Sequence, residues 1–279
     1  HFTSTEAMSL IDGISEKYEL ELQRKRGHIT AAVHPGHLDA LCAGMQAREY
    51  LQETNTSLLN QDELREHVAS EHYFGGLLDH LGGHIHPLAL TRGLAYGFCQ
   101  NGGKIYEQTE VQSIQERADG IYVTTANGVI KARKSVVMAV HHASFKLLED
   151  HKQTTIPFYT YVCTTAPLEL DLKALLPTDL PVYDTQFQID YYRGVSKNRL
   201  LFGGEGTGSC WDAAQTHDYL LGRIQHVFPQ LKQVELDFVW SGTTDLTVNG
   251  ATDSRKFGNQ YPIYAVHGWS GHGVAQTVR

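Results

Sequence analysis

The chain has 279 residues, 41% of them hydrophobic and 19% charged, with a formal net charge of −8. Such a composition is globular and long enough for about two domains, and its mild acidity excludes the clustered basic footprint of a nucleic-acid binder. No apolar run reaches the ~20 residues that a membrane helix needs, and no charged-then-apolar leader opens the chain at His1.

Residues 5–26 carry apolar side chains at Met8, Leu10, Ile11, Ile14, Tyr18, Leu20 and Leu22, a helical spacing that runs into the basic stop Arg24-Lys25-Arg26-Gly27. Residues 28–33 read as a strand and 36–52 as a helix. Asn60, with Glu63 three residues on, reads as the cap of another helix. Between 73 and 88 the pairs Gly75-Gly76 and Gly82-Gly83 interrupt an apolar stretch and lead to His84-Ile85-His86-Pro87. Pro87 suits the first position of a helix over 88–101, which Asn101-Gly102-Gly103 stops.

Short strands follow at 104–106, 111–114, 121–125, 129–132 and 135–139, with hairpin turns at Asp119-Gly120 and Asn127-Gly128. The last of these strands has almost no polar alternation, the pattern of a strand buried on both faces. Further strands are expected at 158–164, 187–192, 200–203 and 234–239 around a helix at 214–228, which suggests a second domain on an antiparallel sheet. Cys42, Cys99, Cys163 and Cys210 form no CxxC pair. They read as free thiols in or near cores and point to a reducing, cytoplasmic setting.

The tail runs from a strand into Gly268-Trp269-Ser270-Gly271-His272-Gly273-Val274 and then a helix start. Glycine there permits positive φ and close approach of the backbone to a ligand. N–H groups at a helix start suit an anionic or electron-rich edge. A tight turn with nothing bound explains the same spacing. His84 and His86, two apart on an extended segment, could share a zinc ion; no third or fourth ligand stands at metal spacing, so no metal is assigned, and a plain structural turn is the other reading. Arg193 could equally be a surface residue of an edge strand.

Four motifs, in this order, resemble one family. They are Gly82-Gly83-His84-Ile85-His86-Pro87; Gly103 through Val111 with the meander and Ser135-Val-Val-Met-Ala139; Asp190-Tyr191-Tyr192-Arg193 with Arg199 through Gly204; and Trp240-Ser-Gly242, Thr252-Asp253 and Gly268 through Thr277. Together they resemble the FAD-dependent oxidoreductases of the D-amino-acid-oxidase type, nearest to the gamma-glutamylputrescine oxidase group. The resemblance implies an α/β fold, α+β in the substrate part, of two interleaved domains: an incomplete FAD-binding domain and an antiparallel-sheet substrate domain. Residues 1–27 would be a helix on the FAD side, 28–85 and 151–250 the substrate domain, 86–150 part of the FAD-binding domain, and 251–279 the flavin loop.

The same resemblance implies an FAD cofactor. Val111 would meet the adenine with its backbone, Ala139 would end the strand beside the dinucleotide, and Gly268, Trp269, Ser270, Gly271, His272, Gly273 and Val274 would lie along the flavin ring. His84, His86, Tyr192 and Arg193 would face the substrate, the Arg suited to a bidentate pair with a carboxylate. The activity implied is oxidation of the C–N bond of an amine or amino acid such as gamma-glutamylputrescine, with hydride passing to flavin N5 and oxygen as reoxidant. No acid or base is singled out.

In one respect the sequence departs from the family: it contains no Gly-x-Gly-x-x-Gly pyrophosphate turn. The nearest run, Gly203-Gly204-Glu205-Gly206-Thr207-Gly208, falls between a strand and Cys210-Trp211, outside any first βαβ unit. The expectation is a longer flavoprotein whose first βαβ unit precedes His1 and which continues past Arg279, so that this chain alone binds FAD poorly or not at all. The alternative is a non-catalytic fragment or subunit of the same fold.

Overall fold

A computed structural model describes residues 2–148 and 154–278. In chain order the elements are α1 (Phe2–Lys17), β1 (Lys25–Ala31), α2 (Pro35–Tyr50), β2 (Thr56–Asn60), α3 (Gln61–Arg65), β3 (Gly75–His84), α4 (Pro87–Gln100), β4 (Val111–Arg117), β5 (Gly120–Thr125), β6 (Gly128–Ala132), β7 (Val136–Met138), β8 (Thr155–Thr165), β9 (Val182–Asp184), β10 (Tyr191–Val195), β11 (Arg199–Thr207), α5 (Ala213–Val227), β12 (Leu236–Thr247), β13 (Asp253–Phe257), β14 (Ile263–His267) and α6 (Gly273–Gln276). The chain divides into two compact units, one from His1–Leu20, Thr91–Phe158 and Thr243–Arg279, the other from Glu21–Leu90 and Tyr159–Gly242.

The second of these, the larger by its core, is built on an eight-stranded sheet in the order β12-β8-β11-β10-β9-β1-β3-β2. β1 runs parallel to β9 and antiparallel to β3. Register fixes its two faces. Ile29 pairs with Val182, Val182 with Tyr192, Tyr192 with Phe202 and Phe202 with Cys163. Paired residues point the same way, so these five make one face, and all are buried in the core. Leu220, Ile224 and Val227 of α5 join the same core, at the spacing of one helical stripe. A capping box between Asp212 and Gln215 starts that helix. The opposite face carries Thr30, Tyr183, Tyr191, Gly203 and Val162 in the same manner.

The other unit holds two three-stranded sheets, β4-β5-β6 and β13-β14-β7. Gly120 and Gly128, both at φ +147°, make the two hairpin turns that the Asp-Gly and Asn-Gly pairs foretell. Ile114, Ile121, Val123, Met138, Ile263 and Ala265 form the core between the sheets.

Several elements differ from their sequence reading. The first helix ends at Lys17, not at the basic cluster, because Glu19 takes a positive φ of 51° and breaks the path. Residues 104–106 form no strand. The expected strand at 187–192 starts only at Tyr191, because Asp184 draws the N–H groups of Gln186 (3.0 Å) and Asp190 (3.2 Å) to its carboxylate and closes 185–190 into a loop. β7 is not buried on both faces: Val137 is 64% exposed, since β7 lies at the edge of its sheet and pairs with β14 alone among the described residues. Of the four cysteines, all free, Cys163 is buried while Cys99 and Cys210 are exposed. Among the described residues no helix is long and apolar enough to cross a membrane.

Candidate functional site

The loop 268–274 belongs to the smaller unit and is tied down by one carboxylate. Asp245, fully buried near the end of β12, accepts the Gly268 N–H at 3.0 Å and pairs with His141 Nδ1 at 2.7 Å. Its carbonyl accepts the Ser270 N–H at 3.2 Å. Ser270 Oγ in turn accepts the Thr247 N–H at 3.3 Å. Gly268 sits at φ +74°, and a Cβ there would stand 2.4 Å from Thr247 Cγ2, so glycine is required on both counts. Within the loop the His272 N–H reaches the Trp269 carbonyl at 2.9 Å. The N–H groups of Trp269, Gly271, Gly273 and Val274 have no partner among the described residues. The helix that follows is only the four residues of α6.

Behind the loop, His267 is buried and Thr154 Oγ1 lies 3.2 Å from its Nε2. The same nitrogen stands 3.2 Å from Asp253 Oδ2. Burial alone would raise the Asp253 carboxyl; the hydrogen bonds from Arg255 and Thr154 outweigh it and hold the group below its ordinary value. Ala139 lies just past β7 and is exposed, and Val111 is the half-buried first residue of β4, opposite Thr125.

His84, His86, Tyr192 and Arg193 fall in the larger unit. They do not share a face. Tyr192 is 1% exposed, stacks on Phe202 at 5.5 Å and gives its hydroxyl to Tyr73 at 3.0 Å, so it is a core residue. Arg193 points the other way, with Tyr191. The two histidines are not two positions of one strand either. β3 stops at His84, whereas His86 lies at the start of α4, where its Nδ1 accepts the Ala89 N–H at 3.4 Å. Among the described residues no group of three or more His, Cys, Asp or Glu side chains is placed to hold a metal ion.

The face opposite α5 carries polar residues that the sequence reading passed over. His28 stacks on Tyr183 at 5.5 Å and is held below its ordinary value by burial, with Asp79 opposing and Arg48 assisting. Asp79 binds Arg48 at 3.3 Å and takes the N–H groups of Leu81 (2.9 Å) and Gly82 (3.0 Å). Tyr191 lies over Gly203, where a Cβ would come within 2.3 Å of its ring, and burial pushes its phenol up to about 12. The available signal was parity: Tyr191 and Arg193 are two apart on a strand, and Tyr192 is not in phase with them.

A family model described as "FAD dependent oxidoreductase" matches residues 3–278. Gamma-glutamylputrescine oxidoreductase of Escherichia coli (strain K12) is 33% identical over 94% of this chain and 61% of its own length. The probable oxidoreductase OrdL of Haemophilus influenzae is 30% identical over 98% of the chain and 63% of its own length. The chain therefore spans about three fifths of these relatives. Among solved structures, glycine oxidase from Geobacillus kaustophilus superposes with a TM-score of 0.84 at 23% identity, covering 99% of this chain and 74% of that one. L-proline dehydrogenase from P. horikoshii gives 0.82 at 19% identity, covering 99% and 75%.

Proposed function

This chain belongs to the family of FAD dependent oxidoreductases, and from that membership we propose that it oxidises the C–N bond of an amine bearing a glutamyl group, as in gamma-glutamylputrescine. The loop 268–274 carries the reading: one buried carboxylate, Asp245, fixes it, and four of its N–H groups have no partner among the described residues. Backbone donors left open in this way suit the electron-rich edge of a flavin ring and gain strength there as negative charge develops. When bound, FAD supplies the two-electron acceptor for the amine carbon. Gly268, Trp269, Ser270, Gly271, His272, Gly273 and Val274 would hold the ring edge, with Val111 and Ala139 toward the dinucleotide. No residue is assigned to the pyrophosphate, for which the sequence has no Gly-x-Gly-x-x-Gly turn. The likeness to the Escherichia coli relative favours the glutamyl amine over other amines. The imine released hydrolyses in water to a carbonyl compound and an amine, so the protein's task is to orient the substrate and to hold the loop.

The test is purification of the full-length gene product with FAD, followed by anaerobic addition of gamma-glutamylputrescine. Bleaching of the yellow flavin band is expected. A flavin-loaded protein whose spectrum does not change with this amine overturns the substrate, and a folded full-length gene product that takes up no flavin overturns the activity.

A further inference from the structure

An inference that rests on the flavin reading of the loop 268–274 starts from what holds the backbone donors of that loop in place. Among the described residues the Asp245 carboxylate has one side-chain donor, His141, whose Nδ1 lies 2.7 Å from Oδ1, and one backbone donor, the Gly268 N–H at 3.0 Å from Oδ2. Asp245 is fully buried, whereas the His141 side chain is 48% exposed. A buried carboxylate is stable only where hydrogen bonds or an opposite charge compensate its lost hydration, so the place of Asp245 depends on the imidazole.

The backbone of His141 is an independent sign. It takes φ +51°, a conformation uncommon for a residue with a side chain and kept only where the surroundings over-determine it. Glycine would adopt it freely but has no donor to offer Asp245. His141 opens the short helical turn His141–Lys146. In the same turn Phe145 meets His267 edge-on at 4.8 Å, and His267 directly precedes Gly268. The turn thus holds the base of the loop at two points. Asp245 in turn holds Gly268 by its carboxylate and Ser270 by its carbonyl, at 3.2 Å, so a shift of Asp245 displaces the open N–H groups of Trp269 and Gly271 with them. Fixed donors stabilise an edge that becomes negative more than the same edge when neutral. We propose that His141 is a positioning residue: through Asp245 it fixes the loop's open N–H groups and thereby raises the potential at which the flavin is reduced.

The test compares the parent full-length gene product with His141→Gly and His141→Asn. Glycine keeps the positive φ without strain and removes the imidazole. Asparagine also tolerates that φ, and its Nδ2 stands as many bonds from the backbone as Nδ1 of histidine, so it restores a donor without a cation. Hydrogen exchange is read on each protein as purified, and the midpoint potential on the flavin-loaded form. In His141→Gly, exchange in the peptide covering 268–272 is expected to quicken at least tenfold, with the peptide covering 199–207 unchanged. Its affinity ratio for reduced over oxidised flavin is expected to fall tenfold, a drop in midpoint potential of about 30 mV for a two-electron couple. His141→Asn is expected to recover most of both. Parent-like exchange in His141→Gly overturns the positioning role. So does a potential that falls as far in His141→Asn as in His141→Gly, which would mark the charge of the imidazole as its only contribution. Quickened exchange with an unchanged potential leaves His141 holding the loop and overturns its effect on the flavin. A folded protein that takes up no flavin overturns the flavin reading, while exchange still decides whether His141 fixes the loop.

Discussion

Asp190 is fully buried, and its carboxylate is held by the Nε of Arg223 at 3.0 Å from α5. Removing one partner of a buried ion pair strands the other charge. Arg223→Met is therefore expected to cost about 3–5 kcal/mol, read as a lower urea midpoint. Burial of His84 predicts a pH dependence of definite sign. Its folded value of about 4 lies below the ordinary 6.5, so the unfolded chain takes up its proton first as the pH falls. The stability contributed by neutral His84 is complete above that ordinary value and is lost progressively down to about 4. Urea midpoints between pH 7 and pH 4 should fall less steeply in His84→Gln than in the parent chain. At this scale the sequence named Arg193 but paired it with Tyr192. Adjacent residues of a strand face opposite ways, so the split between the two was legible in their spacing, whereas the start of the strand was not, because the loop at 185–190 delays it to Tyr191.

Elements show the same division. The Asn60 capping box, the hairpin glycines and α5 could be read locally, since each rests on residues within one turn of each other. β3 could not. Its four glycines argue against a strand by propensity, yet they are what lets β1 and β2 approach on either side. Gly83, at φ +128°, would place a Cβ 2.0 Å from the Lys25 carbonyl oxygen. Gly83→Ala is expected to cost at least about 1–3 kcal/mol through backbone strain, with a matching fall in melting temperature. In the smaller unit, Glu116 on β4 clamps the turn before β14 by accepting the N–H groups of Asn259 (2.7 Å), Gln260 (2.6 Å) and Tyr261 (2.6 Å). The Tyr261 and Asn259 hydrogen bonds, the largest causes, hold its carboxyl below the ordinary value. The clamp is present above the unfolded-chain value and is released as the pH falls through the folded one. Hydrogen exchange at those three amides is expected to quicken in Glu116→Gln at neutral pH.

Across the whole molecule the pairings that close the large sheet join distant parts of the chain: Ile29 meets Val182, and Leu201 meets Thr164. Hydrophobic period gives strands but not their neighbours, so the order β9-β1-β3 lay beyond a single-sequence reading. The two cores share no residue and differ in extent. Among the described residues twenty buried side chains make the larger core and six the smaller. Local opening costs less where fewer apolar side chains are packed, so the smaller unit is expected to open first. Peptides covering 120–125 should then exchange their amides at least tenfold faster than peptides covering 199–207. Ile121→Ala, which empties a fully buried site in the smaller core, is expected to cost about 2–5 kcal/mol and to widen that difference while leaving exchange at 199–207 unchanged. Equal acceleration of both peptides would mean that the two cores unfold as one cooperative body.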